Sequence, residues 1–203
     1  MANNVQASKA TLSRLPRYLR ILKKERDNGL QYISSTLIAK ELNLTSIQVR
    51  KDLAIVSKCD GKPGMGFEII ELISDLEEFL GLNHVRKAII VGAGRLGQAL
   101  VNFSGFENNI DISVMFDNDK RKCNGKNIFH IDDMKEYIIN EKIEIAIVTV
   151  PEGVAQEVCD LLVESGIKAI WNFALIHLKT PRDVVVKNED LSGALAVLLK
   201  NFK

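Results

Sequence analysis

Two stretches of this sequence place residue types at spacings that can do chemistry. The first is Gly92-Ala93-Gly94-Arg95-Leu96-Gly97, a G-x-G-x-x-G run between the apolar segment Lys87–Val91 and the helical spacing of Leu100, Val101 and Phe103. Between a strand and a helix, Gly92 permits a tight turn, Gly94 lets backbone approach a pyrophosphate, and Gly97 lets the helix pack closely on the strand. The helix start then offers free N–H groups to the anion. Asp117 lies 20 residues past Gly97, after Ile112–Phe116. There a carboxylate accepts hydrogen bonds from an adenosine ribose and repels a 2′-phosphate, so NAD(H) is favoured over NADP(H). Asp119 is less well placed for that job. A further apolar run, Ile145–Val150, stops at Pro151, and Thr149, Val150 and Pro151 are expected to form another edge of the same crevice.

The second stretch is Thr45-Ser46-Ile47-Gln48, a capping box that opens the helix TSIQVRKDLAIV. Ile47, Leu53 and Val56 are expected to pack, while Ser46, Gln48, Arg50 and Lys51 project from its first turns. Gln can pair with adenine, and Arg or Lys with guanine or a phosphate, so this is the chemistry of major-groove reading.

The elements that must position these residues follow from the pattern around them. Leu15, Leu19 and Leu22 share a helical face over Ser13–Asp27, with Pro16 suited to the first turn and Arg14, Arg17 and Lys24 on the other face. Ser34 or Ser35 caps a second helix carrying Leu37, Ile38 and Leu42. Together with the Thr45 helix it makes a helix-turn-helix. Gly61-Lys62-Pro63-Gly64-Met65-Gly66-Phe67 reads as the wing of a winged helix, its glycines allowing backbone to approach a phosphate. Arg14, Lys58, Gly61, Lys62 and Gly64 therefore join the expected DNA contacts. Beyond residue 85, strands and helices alternate through a helix over 152–165, strands within 166–173 and 184–186, and a final apolar helix from Asp190 to Asn201. That order implies a parallel sheet with helices on both faces. The last helix could serve as core or be donated to a partner subunit.

Charge divides the same way. Residues 1–67 are net +7 and the remainder net −6, although the 203-residue chain is only +1 overall. A polyanion partner is thus expected for the first part alone. Hydrophobic residues are 46% and charged residues 26%, an ordinary globular composition for one or two domains. No apolar run reaches the roughly 18 residues of a membrane span, and the first 20 residues lack a signal-peptide core. A cytoplasmic protein is expected. Cys59, Cys123 and Cys159 form no C-x-x-C pair and are read as reduced thiols, with no metal site.

In this order the motifs resemble the Rex family of redox-sensing transcriptional repressors, from about Ser13 to Leu199. The resemblance is carried by SRLPRYLRIL, TSIQVRKDL, the glycine wing, GAGRLG, FDND, VTVP, the GIK-I-NFA segment and Asp190-Leu191. It implies a winged-helix domain over 1–80, a Rossmann NAD(H)-binding domain over 81–189, and a swapped dimerisation helix over 190–203. It also implies a homodimer that leaves operator DNA when NADH binds. It adds Asn172, Phe173 and Ala174 to the cofactor site, and Arg20 and Asp190 to a switching contact in which the family commonly has a Tyr where this chain has Phe103. Other departures are Ile55-Val56 for an aromatic pair, Pro63 in the wing, Phe67 for a Tyr and Leu175 for a Pro. The competing readings are an NAD-dependent dehydrogenase and a CoA- or nucleotide-binding ligase subunit. Neither explains the basic helix-turn-helix. The three histidines, His84, His130 and His177, fall in no shared motif, and no catalytic residue is assigned.

Overall fold

The structure is a computed structural model that describes residues 7–58, 60–106 and 109–202. Cys59 lies outside these residues; Cys123 and Cys159 are free thiols, and Cys159 is buried. The chain divides into two compact units, Met1–His84 and Val85–Lys203.

In the first unit, α1 (Lys9–Asp27) precedes β1 (Tyr32–Ile33), α2 (Ser35–Leu42), α3 (Ser46–Val56), β2 (Phe67–Glu68) and α4 (Ile69–Leu80). The start of α1 differs from the sequence expectation. The helix begins at Lys9 rather than Ser13, with Ser8 capping it by accepting the Thr11 N–H at 3.1 Å. Pro16 consequently sits inside the helix, on an exposed face. Ser34 caps α2 and Thr45 caps α3, each accepting the N–H three residues on. Asn43 ends α2 in the left-handed conformation, the sharp reversal a helix-turn-helix needs. Leu15, Tyr18, Leu22, Ile38, Val49, Leu53, Ile69 and Leu76 fill one core. β1 and β2 pair antiparallel at the base of the glycine turn, completing a winged helix.

The second unit is a six-stranded parallel sheet in the order β5-β4-β3-β6-β7-β8. Its elements run β3 (Arg86–Val91), α5 (Arg95–Val101), β4 (Ile110–Asp117), β5 (Ile128–His130), α6 (Met134–Glu141), β6 (Ile145–Val148), α7 (Glu152–Glu164), β7 (Ala169–Asn172), β8 (Val185–Asn188) and α8 (Leu191–Asn201). The sequence pattern does not reveal β5, which is three residues long, or α6, which unlike the equally short α2 has no side-chain cap. Adjacent residues of β3 face opposite cores, as a strand requires. Ile89 and Val91 pack with α6 and α7, while Ile90 packs on the side that α5 covers. The chain winds outward in both directions from β3. This is a doubly wound α/β fold whose topological switch point lies between β3 and β6.

Candidate cofactor crevice and DNA-binding face

The glycine run leaves the carboxyl end of β3 at the switch point, where open parallel sheets bind ligands. Gly92 has φ +107°, and a Cβ there would press on Thr149. The Thr149 hydroxyl donates to the Gly92 carbonyl at 2.8 Å, tying the loop to the end of β6. A Cβ at Gly97 would collide with the same carbonyl, whereas one at Gly94 would meet nothing within 4 Å. Gly92 and Gly97 are therefore closed against the fold, and Gly94 is open toward the crevice. It caps α5, whose first-turn N–H groups lack intrahelical partners by helix geometry. The residues present fit the pyrophosphate of a dinucleotide.

Asp117 ends β4 beside this loop and is 6% exposed. Its Oδ2 accepts the Ala93 N–H at 2.8 Å and the Lys122 ammonium at 2.9 Å, and its Oδ1 accepts the Asp119 N–H at 2.9 Å. Burial alone would push this carboxyl up. Lys122 and the two N–H groups outweigh it, holding the carboxyl below the usual carboxylate range. Asp119 is engaged elsewhere, with Arg121 lowering its pKa to about 2.

Pairing of Val148 with Asn172 brings the segment after β7 beside Thr149, Val150 and Pro151. Gly92–Gly97, Asp117, Thr149–Pro151 and Asn172–Ala174 thus gather at the carboxyl ends of four adjacent strands. Asn172 departs from its expected role. It is fully buried, its Nδ2 donates to the Ile176 carbonyl and Asn188 Oδ1 at 2.8 Å each, and its Oδ1 accepts the Ala174 N–H. Its amide shapes the wall rather than reaching a ligand. Phe103 lies past the short α5, 55% exposed, edge-on to Phe106 at 4.8 Å between ring centroids. Phe106 in turn meets Trp171 at 5.7 Å, and Trp171 meets Phe173 at 4.8 Å. Asp190 caps α8 by accepting the Gly193 N–H at 2.7 Å.

On the first unit, Arg50 and Lys51 stand exposed on α3, with Ser46 and Gln48 half-buried. Among the described residues, neither Arg50 nor Lys51 forms an ion pair. Ile47 does not pack as expected. It is 59% exposed, and Val49 occupies the core in its place. Arg14, expected to face DNA, is instead committed to Asp52, with Nε to Oδ2 at 2.7 Å and Nη2 to Oδ1 at 2.8 Å. Tyr18 Oη and Thr11 Oγ1 also donate to Asp52, which is 4% exposed. Burial opposes ionisation of Asp52, but the hydrogen bonds from Arg14, Tyr18 and Thr11 prevail and lower its pKa. Tyr18 is pushed up to about 12, by burial first and Asp52 second. Lys58 pairs with Glu78 at 2.6 Å while remaining exposed. Arg20 is exposed on α1.

Sequence reasoning missed Lys122 and the Asp52 network. The only signal for Lys122 was its place five residues after Asp117, and Asp52 has its partners 34 to 41 residues away.

Comparison with known proteins bears on both sites. Residues 6–54 match the family model "Putative DNA-binding protein N-terminus", and residues 83–176 match the CoA binding domain. The chain is 46% identical over 204 residues to the redox-sensing transcriptional repressor Rex of Treponema denticola, covering 98% of this chain and 96% of that one. The chain belongs to the Rex family. Two Rex-family crystal structures of the repressor RSP are similar to it at 35% identity, covering 98% of this chain. One, in complex with β-NAD+ and operator DNA, has a TM-score of 0.92 and is covered over 94% of its length; the other, with β-NADH, has 0.87 and 95%. The matched residues 83–176 run from before β3 to the segment after β7, the stretch that carries the glycine crevice.

Proposed function

We propose that this chain is a redox-sensing transcriptional repressor that binds operator DNA through its first unit and NAD(H) through its second. The supporting observation is that one chain carries both an exposed pair of cations, Arg50 and Lys51, with no ion-pair partner among the described residues on a capped helix, and a glycine crevice at a sheet switch point. Its full-length relatives are repressors, so the chain is a regulator rather than an enzyme. Gly94 and the start of α5 would hold the cofactor's pyrophosphate, and Asp117 would accept hydrogen bonds from its adenosine ribose. Ala93, Arg95 and Leu96 complete the loop, and Thr149, Val150, Pro151, Phe173 and Ala174 line the opposite wall. Gln48, Arg50 and Lys51 face the major groove. The protein works in the cytoplasm as a homodimer, with α8 contributing to the interface. Among the described residues no helix is long and apolar enough to cross a membrane.

NAD+ and NADH share the adenosine and pyrophosphate contacts, so discrimination arises at the nicotinamide. A neutral dihydronicotinamide is easier to desolvate beside apolar groups such as Phe103 and Phe106 than a cationic ring is. NADH therefore favours a closed dimer that does not fit the operator. Phe103 brings no hydroxyl to this apolar surround.

The test is operator affinity titrated with NADH and NAD+ separately. NADH is expected to release DNA at concentrations where NAD+ does not, and Phe103→Tyr to widen that difference. Equal effects of the two cofactors would end the redox-sensing reading.

A further inference from the structure

The Asp117 carboxylate was expected to keep a 2′-phosphate out by its charge, and its hydrogen bonds show that this charge is already met. A carboxylate has about four places for donors. Both places on Oδ2 are taken, by the Ala93 N–H at 2.8 Å and the Lys122 ammonium at 2.9 Å, and one on Oδ1 is taken by the Asp119 N–H at 2.9 Å. A single place remains, on Oδ1, whereas an adenosine ribose carries hydroxyls at both 2′ and 3′.

The ammonium can supply what is missing. It has three N–H donors, of which one goes to Asp117, and its side chain is 42% exposed where that of Asp117 is 6% exposed, so it faces both the carboxylate and the crevice. The turn that carries it is tied down. The Lys122 N–H donates to the Asp119 carbonyl at 2.9 Å and the Cys123 N–H to the Lys120 carbonyl at 3.2 Å. Asn124 Oδ1 then accepts the N–H groups of Lys126, Asn127 and Ile128, at 3.0, 3.1 and 3.0 Å. Burial pushes the Asp117 carboxyl up, and Lys122 is foremost among the groups that bring it down.

A phosphate on the ribose 2′ oxygen would therefore meet a cation beside a compensated carboxylate, not a bare anion. We propose that Lys122 sets how sharply this crevice separates NADH from NADPH: its ammonium offsets the Asp117 charge, completes the hydrogen bonding of the ribose and lowers the cost of admitting a 2′-phosphate. NADH remains the preferred cofactor, because the open place on Oδ1 accepts a hydroxyl and an ionised phosphate has no proton to donate there. This rests on the NAD(H)-binding reading above.

The experiment is calorimetric titration of the full-length protein with NADH and, separately, with NADPH. Wild type is expected to bind both, NADH the more tightly. Lys122→Met removes the ammonium and keeps the length of the side chain; it is expected to lose about tenfold in NADPH affinity and to hold NADH within about threefold, the first being the size of one lost hydrogen bond between charged groups. Lys122→Gln, neutral but polar, should widen the ratio of the two dissociation constants likewise, and Lys122→Arg should keep the wild-type ratio. Lys120→Met, at an exposed cation two residues away, controls for the general field of this basic turn and should leave the ratio unchanged. Circular dichroism melts and retained NADH binding establish that the variants fold. The proposal is overturned if Lys122→Met and Lys122→Gln leave the ratio within twofold of wild type, if they weaken both nucleotides equally, or if Lys120→Met widens the ratio as much. A wild-type protein that binds neither nucleotide would instead remove the cofactor reading, and this assignment with it.

Discussion

Three donors converge on the Asp117 carboxylate, from Ala93, Asp119 and Lys122. Beyond any contact with ribose, this side chain fixes the middle of the glycine loop. Asp117→Ser should weaken NADH binding by about tenfold or more, since hydrogen bonds to charged groups contribute about 1.5–3 kcal/mol each. NADPH should lose less, narrowing the gap between the two cofactors; calorimetry checks both, and an unchanged preference would remove Asp117 from the ribose site. The position was legible because its spacing from Gly97 is set by the geometry of a β-α-β unit. Lys122 was not, because a lysine in the basic run Lys120-Arg121-Lys122 reads as a solvated turn. Asn172 shows the complementary failure: a motif gave its neighbourhood, but only the fold reveals that its amide bonds inward.

At the scale of elements, the Asp52 network joins α1 to the recognition helix. Arg14, Tyr18 and Thr11 hold from one side a carboxylate that the next helix-turn-helix element supplies. Replacing one member leaves the others buried and unsatisfied, so Asp52→Asn should destabilise the first unit by about 3 kcal/mol, as for other broken buried pairs. A folded-state carboxyl pKa below the unfolded value adds stability that is present above about pH 4 and lost as pH falls through the depressed value. Wild-type unfolding should therefore steepen in acid, and Asp52→Asn should flatten that dependence; urea melts across pH 3 to pH 7 check it. The helices themselves were legible in the sequence through their caps and apolar faces. Faces were harder to assign in α3. Val49, Leu53 and Val56 share one side, and Ile47 lies two residues, about 200°, from Val49. The three-residue β5 was too short to show a period, and α6, as short as α2, lacks the side-chain cap that marks the start of α2.

For the whole molecule, α8 is the largest commitment still open. Leu191, Leu195, Val197, Leu198 and Leu199 are all more than half exposed, an apolar surface that a soluble chain covers by association. Light scattering should find a dimer at micromolar concentration, and deletion of residues 190–203 should give monomers or aggregates that bind operator poorly. A monodisperse full-length monomer would exclude the assembly. Two-fold symmetry then matches inverted half-sites, and linkage sets the scale of control. A 100-fold loss of operator affinity on NADH binding corresponds to about 2.7 kcal/mol of differential binding, and operator must weaken NADH by the same factor. The sole tryptophan of the chain stands where that coupling can be watched. Its indole N–H donates to Glu189 at 3.1 Å, one residue before the cap of α8, and its ring touches Phe106 and Phe173. The protein consequently carries a native fluorophore at the root of α8, so emission colour and quenching will report on the packing at the start of that helix without any attached dye.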